Sequence, residues 1–529
     1  MTPDDARHVL AIDLGTGGPK VALVASDGTV VGHEVETNGL LLTEDGGVEQ
    51  DPEEWWRSIR TATHRLLDRE LVPRASVTAV AVTAQWMGTV PVDAQGRHIA
   101  NAVIWMDDRG SRHAQEASGG GVTVPTVGYN AAKLRTWLQV TGGVPSRTGK
   151  DPVGHMLFLK HERPEVYRAA HALVEPVDHL NARLTGRICA SYDTITGYWA
   201  TDNRDLGRVD YVDELVEWIG IDRAKLPDLV PTGSIIGTVT AEAAAELGID
   251  AGAAVVTGCG DTASAAIGSG GVTDLDAHLY IGTSSWLSCH VPAKKTDILH
   301  NITTLPSGIP GRYWVATEQD CAGKCLTNLI DEILYPDDGL GGPPPNDVFE
   351  RLNDVAAGVP AGSGGVIFTP WLNGERTPVD DHLIRGGWHN VSLATRREHL
   401  VRSVFEGVAL NTRWMHRSVE RFVKQRVDPI RFVGGGAQSD LWCQIHADVL
   451  DRTILKVRDP RLANVRGAAI TALVALGDLS WDQVPGLVEI EATFHPDPAT
   501  RAVYDRHADA FVSIYKRNKG IHAKLNRHR

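Results

Sequence analysis

An apolar strand that runs into a Gly-Thr turn and out into a second apolar strand occurs twice in this chain. At 9–25 it reads Val9-Leu10-Ala11-Ile12, then Asp13-Leu14-Gly15-Thr16-Gly17-Gly18, then Lys20 to Ala25. At 277–288 it reads Ala277 to Ile281, then Gly282-Thr283-Ser284, then Ser285-Trp286-Leu287-Ser288. Strand–turn–strand is common, so the echo gains force only if both turns face one ligand. The length of 529 residues is more than one core can bury, which points to two lobes. The expected boundaries are 1–269 and 270–515, with Gly268-Ser269-Gly270-Gly271 suited to a hinge or to a plain loop. Residues 516–529, rich in Lys, Arg and His, read as a solvated basic tail.

Within the first lobe, Asp27-Gly28 closes a hairpin into Val30-Val31, extending the opening pair to an antiparallel meander. A helix start follows, with Asp51 as N-cap, Pro52 at the first position, Glu54 at the third, and Trp55, Trp56 and Ile59 beyond. Val77 to Val82 is the next apolar strand. Strands alternating with helical stretches predict an α/β architecture.

Composition narrows the function. The formal charge of −14 disfavours nucleic acid and anionic lipid as partners and favours small molecules. Six cysteines are too few for a disulfide scaffold. Acidic residues at Asp4 and Asp5 stand where a secretory leader carries basic ones, and no apolar run reaches the length of a membrane span, so a cytoplasmic location is expected. Cys321 and Cys325, four apart, read as small buried residues on one helix face rather than a metal site.

Three segments have the make-up of ligand loops. In Asp13 to Lys20, glycines let backbone N–H groups approach an anion, Thr16 offers a hydroxyl, and Asp13 can hold Mg²⁺ through water; a tight hairpin with a solvated Asp is the plain alternative. In Gly258-Cys259-Gly260-Asp261-Thr262, a carboxylate stands at a strand end before an Ala-rich helix, placed either to accept a hydroxyl proton or to cap that helix. In Val433-Gly434-Gly435-Gly436-Ala437-Gln438-Ser439-Asp440, three glycines make a flat shelf ahead of a helix capped by Ser439 or Asp440. Neither a Walker A loop nor a dinucleotide fingerprint is present.

These pieces, in this order and with Glu49-Gln50-Asp51-Pro52-Glu53-Glu54-Trp55-Trp56, resemble the FGGY family of carbohydrate kinases. The more specific signature is Gly386-Gly387-Trp388-His389-Asn390-Val391 followed by His399 to Glu406, with Asn390 where glycine is usual. Its helical part also repeats at core spacing through Leu400, Val401, Val404, Phe405 and Val408. The other signature, Gly154 to Glu165, carries His155 and Phe158 where Lys and Trp are usual. The resemblance spans residues 8 to 515.

It implies an α/β, actin-like ATPase fold, two ribonuclease-H-like lobes closing over ATP, Mg²⁺ and a sugar or polyol. By motif position, Asp261 is the general base and, with Asp13, helps to hold Mg²⁺. Gly15, Thr16, Gly17 and Lys20 cradle phosphates from one lobe, Gly282 and Thr283 from the other, and Gly435, Gly436, Ala437 and Asp440 meet adenosine. Gln85, Trp86, Met87, Trp105, Asp107, Arg109 and Thr262 fall where relatives meet the sugar. Trp86-Met87 replaces the Met-His of the xylulokinase-like branch, the most similar one, so a ketopentose is expected with erythritol, ribulose, gluconate or a deoxyhexulose as alternatives. A homodimer is left open. An actin-like or Hsp70-like ATPase without acceptor, or a non-catalytic sugar sensor, would not need the intact Gly260-Asp261 pair. If Asp261 is the base, Asp261→Ala lowers turnover about 10²- to 10⁴-fold, while ATP binding measured by calorimetry is retained.

Overall fold

The computed structural model describes residues 7–527 apart from Thr126 and Gly339; the acidic start and the last two residues of the expected tail lie outside it. Each repeated strand pair forms the start of a sheet. In the first, β1 (His8–Gly15) pairs antiparallel with β2 (Gly18–Ala25), which pairs with β3 (Val30–Val35). On its other side β1 runs parallel to β4 (Val77–Ala84). Outside β4, β5 (Ile235–Thr238) lies antiparallel to β6 (Ala254–Val256), and β6 runs parallel to β4.

In the second sheet β7 (Ala277–Ile281) pairs antiparallel with β8 (Ser285–Ser288) and parallel with β9 (Ile430–Val433). Beyond β9 come the parallel β10 (Ile454–Val457) and the antiparallel β11 (Ile490–Phe494). Strand for strand this is the order of the first sheet without a counterpart of β3. The expected pair of ribonuclease-H-like halves is present.

Side-chain alternation gives the first sheet two unlike faces. Leu10, Ile12, Leu14, Leu23, Val80 and Val82 point to α1 (Pro52–Leu67), burying Trp55, Trp56, Ile59 and Leu66. The Asp51 side chain caps α1 by accepting from Glu53 N at 2.9 Å. The opposite face is shallow, with Ala11, Ala22, Ala79 and Ala81. Residues this small let a helix approach closely. That helix comes from the second half.

Helix α2 (Asp261–Gly268) ends the first half, and three further helices, α3 (Arg397–Val423), α4 (Asp440–Leu450) and α5 (Ala463–Ala475), belong to the second. The α5 residues Val465, Ala468, Ala469 and Ala472 fill the shallow face of the first sheet. There α5 also crosses α2. A Cβ on Gly467 would stand 1.9 Å from Ser264 O, and one on Gly268 1.8 Å from Ala463 O. Ser264 Oγ donates to Asn464 O at 2.8 Å and Arg466 Nη1 to Gly268 O at 3.0 Å, bridging the same crossing. Gly268 to Gly271 are therefore buried packing residues, not an open flexible stretch.

Two other expectations are corrected. The basic stretch from Lys516 is no frayed tail: it continues α6 (Arg501–Asn526). Tyr504, Ala508, Phe511 and Tyr515 form a buried stripe along α6 at helical spacing while the charges stay outside. Tyr515 donates to Asp381 Oδ2 at 3.1 Å and Asn526 to Leu383 O at 2.9 Å. Cys321 and Cys325 are both buried but share no helix face, because that helix starts at Gly323. The signature helix α3 is core, and its Glu406 is a hub: it pairs with Arg402 at 2.7 Å and accepts from Tyr504 of α6 at 2.8 Å and from Ser363 at 2.7 Å.

The crossing predicts a contrast between glycines. Gly467→Ala costs about 1–3 kcal/mol in chemical denaturation through overpacking. Gly520→Ala, in α6 with no atom near the added Cβ, is neutral or stabilising by up to about 1 kcal/mol. Equal effects would mean that the crossing is not tight.

Candidate active site

Strands β1, β4 and β6 are adjacent and parallel, so their C-terminal ends open on one edge, where ligands bind open α/β sheets. Asp13 lies in register with Thr83, whose hydroxyl donates to Cys259 O at 2.8 Å. Gln85 N donates to Leu14 O at 2.8 Å, and Ala84 bridges to Gly260. Asp13, Gln85 and Asp261 thereby share a rim. Asp261 is not the cap of α2: Gly260 holds that position, and the Asp261 carboxylate accepts from the next residue, Thr262 N, at 2.8 Å.

The second half covers this rim. Asn464, at the start of α5, donates to Asp13 Oδ1 at 3.5 Å. Tyr280 of β7 stacks on Trp286 at 4.0 Å, close enough to Asp13 and Asp261 for their charges to raise its hydroxyl pKa beyond what burial does. Burial first, then the Asp13 charge, push the Asp261 carboxyl up to about 7, with Glu318 of the second half adding to the shift. Lys20 reaches Asp13 at 3.3 Å.

One wall is neutral and hydrogen-bonded. Thr16 Oγ1 donates to Gln85 Oε1 at 3.0 Å and accepts from Trp105 Nε1 at 3.0 Å. Gln85 Nε2 donates to Gln50 Oε1 at 2.7 Å, and Gln50 Nε2 returns to Thr16 O at 2.8 Å. Trp86 is partly exposed beside them, its indole donating to Thr194 O at 3.2 Å and its ring edge-on to Trp314 at 5.8 Å. Met87 follows in the left-handed region with φ 65°. From the second half, the Arg376 guanidinium stands 5.8 Å over the Trp105 ring, held by Asp320 at 2.8 Å and by Glu318.

This geometry changes three expected roles. The Thr16 hydroxyl belongs to the wall with Gln85 and Trp105 and is engaged there rather than free for the expected phosphate contact. Asp107 and Arg109 are spent on each other: Asp107 is fully buried, accepts from Val48 N at 2.8 Å and pairs with Arg109 at 2.8 Å. Arg109 also pairs with Glu49 at 2.6 Å and lies 4.1 Å over the Phe158 ring. Neither side chain is open to a sugar.

The glycine turns divide into packed and open positions. Gly434, with φ 87°, and Gly436 let the β9 turn lie against Ile281 of β7, where a Cβ would come within 2.5 Å and 2.7 Å. Gly435 is exposed beside them and Ala437 is buried. Gly17 and Gly435 have nothing closer than 4.0 Å to an added Cβ, and Thr283 is exposed at the tip of the β7–β8 turn. Gly15 ends β1, and Gly282 O accepts from Gly323 N at 2.9 Å. Ser439 caps α4 by accepting from Trp442 N at 3.0 Å, while Asp440 is exposed and paired with Lys456 at 2.8 Å. Among the described residues no group of three metal-ligating side chains occurs.

Beneath the rim lie groups that motif reading passed over. Asp193 Oδ1 accepts Gly260 N at 2.7 Å, Glu175 Oε2 accepts Gly88 N at 2.9 Å, and Asp178 Oδ1 accepts the Thr194 hydroxyl at 3.2 Å. All three are buried, and burial raises all three, Asp193 to about 7. Gln50 stood within the Glu49 to Trp56 stretch, and neither it nor Asp178 carried a distinguishing signal, because each acts through a distant partner.

Two halves of one topology, meeting over paired carboxylates, define a phosphotransferase of the actin-like class. Residues 8–268 match the N-terminal domain of the FGGY family of carbohydrate kinases and residues 277–476 its C-terminal domain, and the chain belongs to that family. A xylulose kinase of Staphylococcus epidermidis is 27% identical over 525 residues, 98% of each chain. A gluconokinase of Bacillus subtilis is 24% identical over 483 residues, 91% of this chain and 90% of its own. The crystal structure of xylulose kinase from Rhodospirillum rubrum superposes with a TM-score of 0.81 at 26% identity, covering 98% of this chain and 100% of the other. The chain is thus an ATP-dependent sugar kinase. No helix among the described residues is long and apolar enough to cross a membrane.

The raised Asp193 carboxyl has a sign that can be tested. Folding binds a proton there between the ordinary carboxylate range and about 7, so its contribution to stability declines as pH rises through that window. Asp193→Asn mimics the neutral form. Relative to wild type, its melting temperature therefore improves from pH 4 to pH 7; a difference that stays flat with pH contradicts the assignment.

Proposed function

We propose that the enzyme transfers the terminal phosphoryl group of ATP to a hydroxyl of a ketopentose, D-xylulose foremost, in the cytoplasm. The observation that carries the reading is Asp261, a carboxyl poised near neutral pH at the seam of the two halves. A carboxyl held near 7 is ionised about half the time at neutral pH, and in that form it can accept the acceptor proton. Gln85, Trp86 and Trp105 form the acceptor wall, with Met87 and Thr262 at its edges. Backbone amides of Gly15 to Gly17 and of Gly282-Thr283 serve the phosphates, and Gly435 to Ala437 the adenosine; Asp440 and Lys20 lie at the margins of that region.

Asp13 and Asp261 feel each other's charge, with Lys20 the one cation paired to either among the described residues, which fits a divalent cation such as Mg²⁺ held partly through water. When bound, such an ion neutralises charge on the phosphates. The chain's own residues do the remaining work. Asp261 takes the hydroxyl proton, the Thr16–Gln85–Trp105 network orients the alcohol, and the second half excludes water.

The whole-length similarity to xylulose kinases supports a ketose, and the similarity to a gluconokinase supports an aldonate as second reading. The wall favours the ketose. Its donors and acceptors are neutral, and Arg376, the cation over the Trp105 ring, is already matched by two carboxylates. The test is coupled ADP release with ATP and Mg²⁺ fixed, across ketoses, polyols and aldonates. D-Xylulose is expected to give the highest kcat/KM. A higher value for gluconate transfers the assignment to the second reading, and no stimulation by any acceptor overturns the sugar-kinase chemistry.

A further inference from the structure

One short loop lies under both sides of the site. Asp193 Oδ1 accepts the N–H of Gly260, the residue directly before Asp261, at 2.7 Å. One residue on, the Thr194 carbonyl accepts the Trp86 indole at 3.2 Å. The loop is itself tied down from several directions. Asp193 N donates to Thr232 Oγ1 at 3.2 Å, Thr196 Oγ1 donates to Asp193 O at 2.7 Å, and Thr194 Oγ1 donates to Asp178 at 3.2 Å.

The space around Gly260 leaves its peptide little freedom. A Cβ there would come within 3.2 Å of Trp86 Cβ, so base and wall are in contact through this glycine. Asp193 is 3% exposed, and its second oxygen, Oδ2, is buried without a hydrogen-bond partner among the described residues. Trp314 Nε1 of the second half, also buried without a partner, faces this carboxyl while its ring packs against Trp86.

We propose that Asp193 is a positioning residue for phosphoryl transfer: its Oδ1 fixes the Gly260 amide and so the aim of the Asp261 carboxylate, while the adjoining Thr194 carbonyl fixes Trp86. The base and the acceptor wall are thus set by consecutive residues of one loop. The inference rests on the reading of Asp261 as the base. It goes beyond that reading by assigning the hydrogen-bond geometry, rather than the charge, of a residue that touches neither substrate. Without that acceptor the buried Gly260 N–H is orphaned and its peptide turns to find another. A displacement of about 1 Å at a base can cost about 100-fold in rate.

The test compares Asp193→Ala, Asp193→Asn and Asp193→Glu with wild type and with Asp261→Asn, in turnover of ATP with D-xylulose or whichever acceptor wild type uses best. Melting curves establish the folded fraction. The alanine variant is expected to lose about 100-fold in kcat, with KM for ATP within about threefold. The asparagine variant keeps an oxygen for Gly260 and recovers kcat to within about fivefold of wild type. The glutamate variant keeps the carboxyl but moves the acceptor by one methylene, and falls with alanine; it decides the matter if the alanine chain does not fold. An alanine variant with normal kcat, or an active glutamate beside an inactive asparagine, overturns the proposal. If instead Asp261→Asn turns over normally, it is the base assignment that fails, independently of the Asp193 result.

Discussion

The close crossing of α2 and α5 is the constraint on which the remainder depends. Two glycines, Gly268 and Gly467, remove the side chains that would hold the helices apart, so backbone meets backbone. Because α5 also lies on the alanine face of the first sheet, a second-half helix becomes part of the first half's core. Asp261 is the first residue of α2 and Asn464 is near the start of α5. The crossing thereby brings Asp261 and a second-half amide, which reaches Asp13, to the same rim. Any looser packing would spread the site before it affected either sheet.

Around that seam, polar groups are arranged in two ways. The neutral wall satisfies its members completely: Thr16, Gln50, Gln85 and Trp105 hand hydrogen bonds to one another, which gives a rigid, uncharged surface. The floor is different. Asp13 and Asp261 repel, and Glu175, Asp178 and Asp193 are buried with an oxygen each left unpartnered. Burying such groups costs stability unless they stay neutral, so proteins keep them where geometry is worth more than folding energy.

Much of this was legible in the residue string, and the reasons for the rest are physical. The repeated strand–turn–strand pairs became β1–β2 and β7–β8 because both are local hairpins whose pattern needs nothing beyond neighbouring residues. The Asp51 cap and Pro52 start of α1 were legible for the same reason. Asp13, Asp261 and the glycine turns stand at strand ends, where motif and location coincide. Asp107 and Arg109 misled because an ion pair two residues apart has the same letters whether it meets a ligand or itself. The tail misled because its charges were conspicuous and its stripe of Tyr504, Ala508, Phe511 and Tyr515 was not. Asp193 and Gln50 were silent: their partners lie far along the chain, and only the folded sheet brings them together.

The end of α6 has a consequence of its own. Asn526 hydrogen-bonds Leu383 and Tyr515 bonds Asp381, in the segment that follows Arg376, the residue roofing Trp105. The last described turn of α6 is therefore a strut beneath the segment that carries Arg376. An affinity tag placed there would pull on the segment that carries Arg376 over Trp105.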